Sequence, residues 1–78
     1  MGTAREFDEV RRLVEQNGFL PVHGKANAVL QEVNRLTGEL GSEATLHLRK
    51  LQAELEQQGY LPASKAQQLL DAIDELRC

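Results

Sequence analysis

The residues able to do chemistry are few in this chain: His23, His47 and Cys78, the carboxylates Asp71, Asp74 and Glu75, and two basic pairs, Arg11-Arg12 and Arg49-Lys50. A general base needs a nucleophile or an orienting partner within reach, and a zinc site needs three or four ligands. Two histidines outside any metal-type spacing, with one cysteine to help them, meet neither requirement. They read as a turn residue (His23) and a residue on a polar helix face (His47). The sequence holds no Ser-His-Asp set and no glycine-rich phosphate loop after a strand, and no strand is expected at all. The expectation is therefore a protein that is not an enzyme, with no catalytic residue, no cofactor and no metal.

The charged groups are more informative. Asp71, Asp74 and Glu75 fall on one face in the last turns of a predicted helix, where carboxylates oppose the helix dipole at roughly several tenths of a kcal/mol each. A local rule broken without visible compensation points to function. The corresponding face of an earlier helix carries Gln31, Asn34 and Arg35, and both helices are rich in small residues, Ala26 and Ala28 in one, Ala66 and Ala72 in the other. An apolar stripe edged by carboxylates suits an amphipathic basic helix. The expected partner-binding set is Asp71, Asp74, Glu75, Ala66, Ala72, Gln31 and Arg35. The function expected from it is that of an adaptor or docking module, which binds a partner helix or self-associates through a helix face, a homodimer being one such form. The alternative is a small DNA-associated regulator that uses the two basic pairs. A net charge of −3 opposes general phosphate binding.

The elements that must position these groups come from an internal repeat. The turn Gln16-Asn17-Gly18-Phe19-Leu20-Pro21 returns as Gln57-Gln58-Gly59-Tyr60-Leu61-Pro62, with the glycines 41 residues apart, and Lys25-Ala26 returns as Lys65-Ala66 at an offset of 40. Two copies of one helix-turn-helix unit follow, the first with one extra residue near His23-Gly24. Thr3-Ala4-Arg5-Glu6 is a capping box that starts the first predicted helix, which runs to about Asn17 with Phe7, Val10, Leu13 and Val14 on its apolar face. Gly18 fits the left-handed position after that helix, which places Phe19 against Val14, and Gly59, Tyr60 and Leu55 repeat the device. The second predicted helix begins near Gly24 or Lys25 and ends between Thr37 and Leu40. The third is expected to start behind Ser42 as N-cap and to run to about Gln58, with Ala44, Leu48, Leu51 and Leu55 as its stripe. The fourth is expected to start at the capping box Ser64-Lys65-Ala66-Gln67.

A calcium loop is the sharpest chemical reading of the repeated turn. With Gly18 or Gly59 as the central glycine of an EF-hand loop, Leu20 or Leu61 falls where the short inter-loop pairing residue belongs. The first ligand position then holds Leu13 or Glu54, and the bidentate glutamate position holds Gly24 or Lys65. Lysine cannot ligate calcium and glycine offers no carboxylate. The turn therefore reads as a structural helix stop, a metal-free EF-like pair being one form of it.

At 78 residues the chain is one domain, residues 1–78, with hairpin 1 at about 3–40 and hairpin 2 at about 42–78. The fold class expected is all-α, a four-helix bundle built from two repeated antiparallel helical hairpins. Its core is expected from Phe7, Val10, Val14, Val29, Leu30, Val33, Leu36, Leu48, Leu51, Leu55, Leu69, Leu70, Ile73 and Leu76. Phe19, Leu20, Tyr60 and Leu61 are expected to cap the two hairpin ends. No apolar run approaches the roughly 20 residues a membrane span needs. One unpaired cysteine and no signal peptide give the expectation of a cytoplasmic, intracellular setting.

Overall fold

The two glycines that end the first and third helices set the architecture. A computed structural model describes residues 2–77, with side chains from residue 7 onward. Four helices, α1 (Gly2–Asn17), α2 (Ala26–Leu40), α3 (Leu46–Gln58) and α4 (Ala63–Arg77), alternate with two short strands, β1 (Phe19–Pro21) and β2 (Tyr60–Pro62), in the order α1-β1-α2-α3-β2-α4. Gly18 (φ 81°) and Gly59 (φ 82°) are left-handed. Their N–H groups donate to the carbonyls of Val14 at 2.7 Å and Leu55 at 2.8 Å, so each satisfies one orphan carbonyl of the helix it ends.

Beyond each glycine the chain is extended, because proline disfavours a helical residue before it and fixes its own φ. An extended segment exposes backbone groups that need partners, and the two turns supply them to each other. β1 and β2 pair antiparallel, with Leu20 opposite Leu61, Phe19 opposite Pro62 and Pro21 opposite Tyr60. The Val22 N–H donates to Gly59 O at 3.0 Å and the Ala63 N–H to Gly18 O at 3.1 Å, two bonds that exchange under the repeat. Two strands thus stand where none was expected, in a chain that is otherwise helical. The two turns do not cap separate ends; they are joined side by side. Alternation along each strand buries Leu20 and Leu61 and leaves Phe19 (40% exposed) and Tyr60 (45%) partly in solvent.

One core serves all four helices. Phe7, Val10 and Val14 of α1, Val29, Val33 and Leu36 of α2, Leu48, Leu51 and Leu55 of α3 and Leu69, Leu70 and Ile73 of α4 are buried, joined by Leu20, Leu61, Ala26 and Ala66. Leu30 and Leu76, expected inside, pack against this cluster half-buried. α4 touches the three other helices, and α2 touches α3.

Three boundaries differ from the expected ones. α3 begins at Leu46, because residues 42–45 form a turn in which the Thr45 hydroxyl donates to Gly41 O at 2.7 Å. Ser42 is not its cap, and Ala44 is exposed outside the helix. Ser64 lies inside the first turn of α4, since helical geometry resumes directly after Pro62. The α1 backbone is helical from Gly2, while the Thr3 and Glu6 side chains of the expected capping box lie outside the described ones.

Candidate functional site

The acidic face of α4 is not vacant. Arg11 of α1 lies across it, donating to Asp71 at 2.8 Å and Asp74 at 3.0 Å through Nη2 and to Gln67 at 2.9 Å through Nη1. Burial works against the guanidinium charge, but the hydrogen bonds it donates to Asp71 and Asp74 and the attraction of those carboxylates outweigh it and raise the Arg11 pKa above its ordinary value. The compensation for two of the three carboxylates near the α4 C-terminus, Asp71 and Asp74, therefore comes from another helix, where no reading of α4 alone would find it. Asp71 and Asp74 remain more than half exposed. Glu75 is exposed and makes no ion pair among the described residues.

The same geometry recurs in the other half of the molecule without charge. Under the repeat Arg11 corresponds to Gln52 and Asp74 to Asn34, and the Gln52 side chain donates to Asn34 Oδ1 at 3.2 Å. One cross-helix contact is thus built twice, as an ion pair between α1 and α4 and as an amide pair between α3 and α2.

The other residues expected at the site are dispersed. Ala66 is fully buried in the core with Ala26, so the close approach these small residues permit is used inside the molecule and Ala66 presents no surface. Ala72 is half-buried and Gln31 exposed, and Gln31 lines a groove of about 490 Å³ with Val10, Gly24, Lys25, Asn27 and Ala28. Arg35 is held on its own helix by Glu32 at 2.6 Å and Glu39 at 2.9 Å. Glu32 also meets Arg77 at 3.2 Å, and the Arg77 guanidinium stands 5.0 Å from the centre of the Phe7 ring. This clip joins α1, α2 and α4. The hydrogen bond from Arg35 dominates burial at Glu32 and, with the charges of Arg35 and Arg77, holds its pKa below the usual glutamate value. The clip had no signal in the sequence, because its members are 70 and 45 residues apart.

The repeated turn explains itself chemically. Lys65 Nζ sits 2.7 Å from Glu54 Oε1, which joins the first and twelfth positions of the would-be calcium loop by an internal ammonium. Among the described residues no group of three or more His, Cys, Asp or Glu side chains is arranged to hold a metal ion. His23, in the connection between β1 and α2, and His47, in α3, are both exposed, and Cys78 lies outside the described residues. Of the basic pairs, Arg11 is engaged by α4, while Arg12, Arg49 and Lys50 are exposed. No described helix is long and apolar enough to cross a membrane. No protein-family model, curated protein or solved structure matches this chain.

Proposed function

We propose that this chain is a protein-interaction module, an adaptor or docking domain, which receives a basic amphipathic helix along the acidic edge of α4. Its architecture in this reading is a four-helix bundle of two antiparallel hairpins related by a pseudo-twofold axis between Leu20 and Leu61. The strand register and the duplicated cross-helix contact support that relation.

The observation that carries the functional reading is the charge left on α4. Asp71 and Asp74 share one guanidinium, Arg11, and Glu75 has no ion pair among the described residues, so the edge keeps a net negative charge, and Glu75 stands beside the half-buried Ala72 and Leu76. A partner's Lys and Arg would meet these carboxylates at the rim while its apolar side chains lie over Ala72 and Leu76. Arg11 competes for two of the three acids and sets a threshold that a weakly basic segment does not pass.

The test is titration with a designed Leu/Lys/Arg amphipathic helix, followed by amide shifts in the chain. Shifts centred on Asp71, Ala72, Asp74 and Glu75, weakened severalfold in the Asp71→Asn/Asp74→Asn/Glu75→Gln variant, support the reading. Equal affinity in that variant refutes it. Salt-dependent DNA binding that maps to Arg12, Arg49 and Lys50 would instead favour the DNA-associated alternative.

A further inference from the structure

Between α2 and α3 the bonding of a helix is interrupted at one residue. The Gly41 N–H donates to Thr37 O at 3.0 Å and the Arg49 N–H to Thr45 O at 3.0 Å, both at helical spacing. The link that falls between them, from Thr45 back to Gly41 O, keeps the same spacing but is made by the Thr45 hydroxyl, at 2.7 Å. Gly41, at φ 88° and ψ 170°, is the only residue from 26 to 58 with a positive φ, and that conformation is essentially confined to glycine. The apolar pattern does not stop there. Val33, Leu36, Leu40, Ala44, Leu48 and Leu51 follow one another in steps of three or four straight through the junction. Leu40 and Ala44 continue the buried stripe and yet are exposed, and Leu40 and Leu46 are the exposed leucines among the described residues.

We infer that the chain exchanges halves with a second copy: Gly41 turns helical, α2 and α3 join into one helix over residues 26–58, and residues 2–40 of each copy pack on residues 46–77 of the other. The established contacts between the halves select this occupant. Within one chain the halves are held by the pairing of β1 with β2, by Leu20 against Leu61 in the shared core, and by Arg11 on Asp71 and Asp74. A second copy carries that whole set, and a partner of any other sequence does not. Exchange therefore rebuilds the same core twice and alters only residues 41–45.

At the junction the exchanged form gains contact. The two joined helices run side by side in opposite directions there, which brings Leu40 of one copy beside Leu46 of the other and covers both. In the closed chain the short connection holds the halves at an effective concentration of roughly millimolar, so exchange needs chain at a comparable concentration or a junction that resists closing. The acidic edge of α4 is the same in both forms, except that Arg11 then comes from the second copy. The exchange does not depend on a helix docking along that edge.

Refolding from urea at about 1 mM chain in reducing buffer, which removes any Cys78 cross-link, tests this, with sedimentation velocity after dilution as readout. The expected product is a dimer of twice 8.7 kDa that outlasts dilution, because the halves must part before the copies can separate. Gly41→Ala should lower the dimer dissociation constant by about tenfold or more, since alanine resists the closed junction and favours the joined helix. A short Gly/Ser insertion after Ser42 should raise it, because a longer junction closes without strain. Circular dichroism reports whether each variant folds. A further experiment leaves Gly41 intact: Arg11→Glu chains and Asp71→Arg/Asp74→Arg chains are refolded together at low salt. Exchange restores opposite charges in both halves of the mixed dimer, which should form in excess of random pairing, whereas copies that touch only at their surfaces leave each chain mismatched with itself. A chain that stays at 8.7 kDa even as Gly41→Ala, a dimer indifferent to the junction, or random pairing of the charge variants overturns the inference.

Discussion

Alanine at Gly59 and alanine at Gly38 should change stability in opposite directions. Gly59 closes α3 at φ 82° and ψ 0°, whereas Gly38 lies within α2 at an ordinary helical φ. A β-carbon added at either position meets no heavy atom within 4 Å, so crowding cancels from the comparison and backbone conformation decides it. At Gly59 the left-handed conformation costs alanine roughly 1–2 kcal/mol. The stiffer unfolded chain returns roughly 0.4–1 kcal/mol of that, and a net loss of about 1 kcal/mol remains. At Gly38 alanine removes the entropic penalty of glycine in a helix and stabilises by roughly 0.5–1 kcal/mol. Urea denaturation followed by circular dichroism resolves a gap of this size, and the midpoints of thermal unfolding should separate by roughly 4–8 °C per kcal/mol for a domain this small. A Gly59→Ala variant as stable as the parent, or a Gly38→Ala variant that is weaker, would refute the assignment of Gly59 as the stop that aims the chain into β2.

Leu61→Ala should cost about 2–5 kcal/mol, and with Leu20→Ala the two losses should fail to add, because the side chains face each other across the strand pair; additivity within about 0.5 kcal/mol would show that they do not share a site. Glu32→Gln should flatten the acid limb of the stability profile. The folded pKa of Glu32 is lowered, so its contribution is complete above the ordinary glutamate value of 4.5 and disappears as pH falls through the lower folded value; an unchanged slope below pH 4.5 would exclude the Arg35–Glu32–Arg77 clip. Arg11→Met should tighten binding of a basic amphipathic helix severalfold at low salt by releasing Asp71 and Asp74, and equal affinity before and after the change would remove Arg11 as competitor.

Much of the helical layout was legible from local signals. The apolar spacing of Val29, Val33 and Leu36, or of Leu48, Leu51 and Leu55, needs no partner to be read, because it reports which side of a helix avoids water. The glycine stops were legible for a similar reason, since a left-handed φ is a property of one residue. Misreadings arose where a local preference competed with a neighbour. Ser42 and Ser64 are good caps by type, but Thr45 takes the backbone carbonyl of Gly41 and α4 resumes directly after Pro62. The acidic face on α4 was visible in the sequence, while its counterion was 60 residues away on α1.

The sequence by itself determined four amphipathic helices, two glycine-terminated turns and their repetition, because helix period, left-handed backbone and proline-fixed φ are local properties. Tertiary structure alone decided that the two turns meet. Leu20 and Leu61 are each apolar residues in a turn until the strands pair, and pairing sends them inward and Phe19 and Tyr60 outward. It also decided which charges neutralise each other and which small residues are hidden, Ala66 among them. Contacts between residues far apart in the chain depend on how the helices lie against one another, and that follows from the shared core, where the buried faces of all four must close at once.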